Sequence, residues 1–91
     1  MTPAEIRAII IRGVNEWVSA ADRPQLAKRL ADPAQDVSFI DLDVDSLAAA
    51  EISMLIEDET GYACDIADFI AYPSIDTLSA FVSDRVRRDG G

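Results

Sequence analysis

"FIDLDVDSLAAAEI", residues 39 to 52, decides how the chain is read. It sets Asp41, Asp43 and Asp45 on alternate positions and follows them with Ser46, at the head of a run with helical spacing. Two chemistries compete for this stretch. An EF-hand calcium loop also opens on aspartates at its first, third and fifth positions. It then requires glycine at the sixth, an oxygen ligand at the ninth and a bidentate glutamate at the twelfth. This chain offers Ser46, Ala49 and Ile52 there, and Glu51 falls one place early. A helix beginning inside the loop would also destroy the ligand cage. The calcium reading fails and the serine remains. As a bare tripeptide, Asp-Ser-Leu is also an ordinary helix start.

Working outward, a helix is expected from about Ser46 to Thr60, capped by Asp45 or Ser46 and ended by Gly61. Ile52, Leu55, Ile56 and Leu47 would form its buried face. "DIADFIAY", residues 65 to 72, gives a short helix capped by Asp65, with Ile66, Phe69 and Ile70 turned inward. Pro73 breaks the chain, and Ser74 caps a last helix that buries Ile75, Leu78, Phe81, Val82 and Val86. Arg85, Arg87 and Arg88 fall at its C-terminal end, where the helix dipole favours positive charge.

At the other end, Thr2, Pro3 and Glu5 make a capping box with proline at the first helical position. Ile6, Ile9, Ile10, Val14, Trp17 and Val18 then form a stripe expected to be buried, in a helix ending near Ala20 and slightly weakened by Gly13. From Ala21 to Val44 the pattern is weak. "PQLAKRLA" can form a short helix that Pro33 stops, and Phe39, Ile40 and Leu42 are expected to pin the connection to the core. The expected fold is all-α: a small bundle of three long helices plus one short helix, with a long loop between helices one and two. Residues 1–88 read as a single domain and 89–91 as a flexible tail.

Composition narrows the functions. The chain has 91 residues, 49% of them hydrophobic, which suits one folded domain with a modest core. It has no histidine and one cysteine, Cys64, and so no disulfide framework, no thiolate zinc set and no common neutral-pH acid–base catalyst. Cys64 suits a reducing cytoplasm, and with no basic neighbour in sequence to activate it, a packed or idle side chain is expected. "AIIIRGV", residues 8 to 14, is too short for a membrane span and carries Arg12. The net charge is −9, and from Leu30 to Asp84 there are 13 acidic residues and no basic one. Such a surface repels nucleic acid and anionic lipid and attracts proteins with basic patches, although solubility is the plainer consequence. No histidine, metal set or glycine-rich phosphate loop supports an enzyme.

The ordered set Asp45-Ser46-Leu47, Glu51, Glu57-Asp58-Glu59 and Tyr72-Pro73-Ser74-Ile75, spread from about Ser38 to Val82, resembles the acyl carrier protein family. That resemblance implies a non-enzymatic carrier. Ser46 would hold a covalent 4′-phosphopantetheine arm, delivered from coenzyme A by a phosphopantetheinyl transferase, and the arm's thiol would hold an acyl group as a thioester. An exposed helix-start hydroxyl suits such an attachment, and the helix dipole favours the phosphodiester. The nearby Asp41, Asp43 and Asp45 oppose a tightly held phosphate, so the site is expected to present the arm, with the transferase and its metal ion supplying positive charge.

The resemblance also implies a docking face of Asp45, Leu47, Ala50, Glu51, Met54, Glu57 and Asp58 for enzymes with basic patches. Core packing is the alternative for Met54, and a solvated face the alternative for the acids. The tail "FIAYPSIDTLSAFV" looks polyketide-type, within fatty-acid-like or polyketide-like biosynthesis. The serine context lacks the G-G-x-S of many peptidyl carriers, while a freestanding aminoacyl carrier stays open. From its methionine and capping box the chain reads as a freestanding protein, with an excised domain the alternative, and it is expected to be a cytoplasmic monomer bound to neither nucleic acid nor membrane. The family usually has glycine where this chain has Asp43; if the loop needs positive φ, aspartate tolerates it better than most residues. The rival reading is an unmodified helical interaction domain in which Ser46 is only a cap.

Overall fold

Every helix but the second begins where a side chain satisfies its first free amides, and those caps help set the architecture. The computed structural model describes residues 2–17 and 23–89. It contains α1 (Pro3–Trp17), α2 (Pro24–Ala31), α3 (Ser46–Thr60), α4 (Ile66–Ala71) and α5 (Ile75–Asp89). The Thr2–Glu5 box forms: Thr2 N donates to Glu5 Oε1 at 3.1 Å and Glu5 N donates to Thr2 Oγ1 at 3.3 Å. Asp65 and Asp68 make the corresponding box on α4. Ser74 and Thr77 exchange amide–hydroxyl bonds at the start of α5. Gly61 ends α3 with φ 80°, a left-handed conformation that glycine adopts without a Cβ penalty.

The three long helices and short α4 match the expected bundle, and "PQLAKRLA" forms a helix of its own, α2, inside the long connection. α1 packs along both α3 and α5, and α4 lies against α3. Ile6, Ile10, Leu42, Ile52, Ile56, Ile75 and Leu78 are wholly buried. A Cβ on Gly13 would come within 3.1 Å of Ile52 Cγ1, so this glycine lets α1 approach α3 closely. The long connection is bound to the turn before α5: Phe39 N donates to Pro73 O at 2.9 Å and Ile75 N to Val37 O at 3.0 Å.

Arg7 adds a second tie. Its largely buried guanidinium pairs with Asp76 at 3.0 Å and donates to the carbonyls of Leu30, Asp32 and Gln35. One α1 side chain thus holds the end of α2, the following loop and α5.

Five residues expected inside lie outside. Trp17 is half exposed at the last turn of α1, past the packed stripe; Val18 and Ala20 fall outside the described residues. Leu47, in the first turn of α3, is 67% exposed because the buried face turns on Ala48, Ala49, Ile52 and Ile56 instead. Ile40 is aimed outward by the turn that contains it, while its neighbours Phe39 and Leu42 are buried as expected. α4 has six residues and buries only Phe69 well, which leaves Ile66 and Ile70 exposed. On α5, Ile75, Leu78 and Val82 are buried and Phe81 and Val86 partly so. The helix runs to Asp89, and residues 90 and 91 of the expected tail lie outside the described residues. No helix among the described residues is long and apolar enough to cross a membrane.

Candidate functional site

The chain reaches α3 through a tight turn. Val44 N donates to Phe39 O at 3.0 Å and Asp43 N to Ile40 O at 3.1 Å. These two nested bonds make a Schellman motif, which places one residue in the left-handed region and favours glycine there. Here that residue is Asp43, with φ 55°. The positive φ considered from sequence is therefore present, and aspartate is among the side chains that visit this region. The turn leaves Asp45 extended as N-cap, and its carboxylate accepts from Ala48 N at 2.8 Å.

Because Asp45 supplies the cap, the helix does not need the Ser46 hydroxyl. Ser46 is exposed in the first turn of α3. The amides of a first helical turn have no carbonyl partner within the helix, and the dipole there favours an anion. Beside Ser46 runs a groove of about 350 Å³ between the turn, α3 and α4. Its buried lining includes Phe39, Ala49 and Phe69, and its exposed lining Ile40 and Ile70. The Phe39 and Phe69 rings pack with centroids 5.0 Å apart.

The acidic approach is less negative than the sequence suggests. Arg23 forms an ion pair with Asp43 and donates to Asp41 O, and Arg29 pairs with the Asp41 carboxylate at 3.6 Å. Of the three alternate aspartates, only Asp45 lacks an arginine partner among the described residues. Sequence reasoning missed these arginines. They lie 20 and 12 positions before their partner aspartates, and only the folded α2 brings them together.

Leu47, Glu51, Met54 and Asp58 recur at helical spacing, with Ala50 and Glu57 beside them, so these six of the expected docking residues share one stripe of α3, while Asp45 is its N-cap. Met54 is 60% exposed, so the core-packing alternative does not hold for it. Glu59 is drawn to Arg12 of α1 at 2.6 Å, whereas Glu51, Glu57 and Asp58 form no salt bridge among the described residues. Cys64 is buried beneath a second groove lined by Met54, Glu57 and Ile66. Burial, followed by the Asp68 charge, pushes its thiol up to about 12.

The small helical bundle thus presents an exposed serine at the head of an acidic, partly apolar helix. The family model for a phosphopantetheine attachment site matches residues 24–82, and the chain belongs to that family. The match runs from the start of α2 into α5. No curated protein and no solved structure matches the chain. The protein is thus a phosphopantetheine carrier and not an enzyme. Its cofactor is covalent 4′-phosphopantetheine, and it works with a phosphopantetheinyl transferase and with biosynthetic enzymes. An exposed hydroxyl at a helix N-terminus beside an apolar groove fits that group.

Proposed function

We propose that Ser46 is the attachment residue and that the protein carries acyl groups for fatty-acid-like or polyketide-like assembly. One observation carries the choice of residue. The matched stretch contains Ser38, Ser46, Ser53, Ser74 and Ser79, and of these Ser46 alone is exposed. Ser53 and Ser79 are buried and bonded to carbonyls in their own helices, and Ser74 is engaged with Thr77.

In the modification, Ser46 Oγ forms a bond to the β-phosphorus of coenzyme A. The pyrophosphate P–O bond breaks, 3′,5′-ADP leaves, and the serine proton passes to a base of the transferase, since this chain has no histidine to take it. The arm's thiol then holds cargo as a thioester. Apolar side chains dominate the groove beside Ser46, which favours an acyl group over a cargo bearing a free ammonium. The "FIAYPSIDTLSAFV" tail, residues 69 to 82, supports a polyketide-type role. Asp45, Leu47, Ala50, Glu51, Met54, Glu57 and Asp58 form the docking face, and such docking is weak and electrostatically steered. The setting is a cytoplasmic monomer.

The test is intact mass after incubation with coenzyme A, magnesium and a broad-specificity phosphopantetheinyl transferase. One phosphopantetheine increment is expected on the wild type and none on Ser46→Ala. An increment that survives Ser46→Ala would place the arm elsewhere.

A further inference from the structure

The ties around Asp43 converge on a single element. The Phe39–Val44 turn decides where α3 starts, and Asp43 holds its left-handed position without being glycine. A side chain in that region costs on the order of a tenfold bias against the conformation. Arg23, at the N-cap of α2, grips the turn twice, through the Asp43 carboxylate and the Asp41 carbonyl. Arg29 grips it at the Asp41 carboxylate and reaches back to Asp36 O at 3.5 Å. α2 is seated in turn by buried Leu26 and Leu30 and by Arg7 bound to Leu30 O.

We propose that Arg23, assisted by Arg29, is a positioning residue for modification at Ser46. It stabilises Asp43 in the left-handed conformation and so keeps the turn closed in the arrangement that presents Ser46. The inference rests on Ser46 being the attachment residue. Arg23 does not touch the reacting atoms; it acts through Asp43, three residues upstream. The chain thereby replaces a glycine's conformational freedom with an ion pair reaching across from α2. Glycine holds such a turn unaided, so an Asp43→Gly chain should not need Arg23.

The experiment measures steady-state kinetics of coenzyme A-dependent modification by intact mass, together with amide hydrogen exchange at Asp43 and Val44 in the unmodified protein. The proteins are wild type, Arg23→Ala, Arg23→Lys, Asp43→Gly and Arg23→Ala/Asp43→Gly. Exposed ion pairs of this kind shift equilibria by up to roughly fivefold. Arg23→Ala should therefore raise KM for the carrier about two- to fivefold with kcat nearly unchanged, and speed exchange at both amides by a similar factor. Arg23→Lys should recover part of both effects, and Arg23→Ala in the Asp43→Gly background should change neither.

Unchanged exchange in Arg23→Ala would overturn the proposal. So would a KM defect that persists undiminished in the Asp43→Gly background, which would mean that Arg23 acts through the Asp41 carbonyl or the transferase and not through Asp43. The exchange arm stands apart from the Ser46 assignment. If Ser46→Ala were still modified, that assignment would fail, while altered exchange would still establish the clasp on the turn.

Discussion

The carboxylate of Asp45 accepts a 2.8 Å hydrogen bond from the amide of Ala48, so the aspartate, and not the serine beside it, closes the N-terminus of α3. The cap thereby falls to Asp45 and leaves the Ser46 hydroxyl free for the proposed attachment. Asp45→Ala should destabilise the protein by about 1 kcal/mol. Asp45→Asn can still accept the bond and should cost much less. Ser46→Ala removes no cap and should stay within about 0.5 kcal/mol of wild type. Urea denaturation of the three variants checks this ordering, and a Ser46→Ala chain as unstable as Asp45→Ala would contradict it.

Arg7 should be the most costly charged residue to remove. Its guanidinium serves Asp76 and the carbonyls of Leu30, Asp32 and Gln35, so its loss releases the end of α2 and the loop after it together. Hydrogen bonds from charged donors are individually stronger than neutral ones, and Arg7→Ala should lose about 2 kcal/mol. Arg7→Lys keeps the charge near Asp76 but lacks the planar fork, and should recover less than half of that loss. Exchange protection of the Ile75 amide, which donates to Val37 O, should fall in Arg7→Ala as the loop loosens.

Local signals wrote most of the fold into the sequence. Asp45, Gly61, Asp65, Ser74 and the Thr2–Glu5 box act within a few residues of themselves, and the helix ends they set appear in the structure. The site was harder to read because its remaining parts act at a distance. Arg23, Arg29 and Arg7 gain their roles only when α2 folds against the loop, and no spacing in the sequence marks that. The apolar pattern misled at Leu47, Ile40, Ile66 and Ile70 because periodicity identifies a stripe but not whether the chain itself covers it. Exposed apolar side chains of this kind are suited to contact with other molecules.

Cys64 provides a pH prediction with a definite sign. Burial, then the Asp68 charge, raises the thiol from its ordinary value of 9.0 to about 12. The folded state therefore holds this proton more tightly than the unfolded state. The associated stability is fully present below pH 9.0 and is lost as pH rises from there towards about 12. Tyr62, raised chiefly by burial, adds a further fall above pH 10.0. Denaturation at pH 8 and at pH 10.5 should show reduced stability at the higher pH, and Cys64→Ala should lessen the difference without removing it. At pH 8 a thiol-specific reagent should find no reactive thiol in the native unmodified chain, one after unfolding, and one in the native modified chain, that of the arm.

Contrasting two isoleucines separates covering the core from serving a partner. Ile56 is wholly buried, and Ile56→Ala should cost about 2–5 kcal/mol through lost transfer energy and the cavity left behind. Ile70 is 76% exposed on the groove beside Ser46, and Ile70→Ser should change stability by no more than about 0.5 kcal/mol. If the exposed groove side chains meet cargo or a partner enzyme, the order reverses in function. The modified Ile70→Ser carrier should show a raised KM with an acyl-loading enzyme at a temperature where both variants are folded, and Ile56→Ala should not. A KM defect that followed stability instead, large for Ile56→Ala and absent for Ile70→Ser, would mean that the groove is incidental packing and that α3 alone is the contact surface.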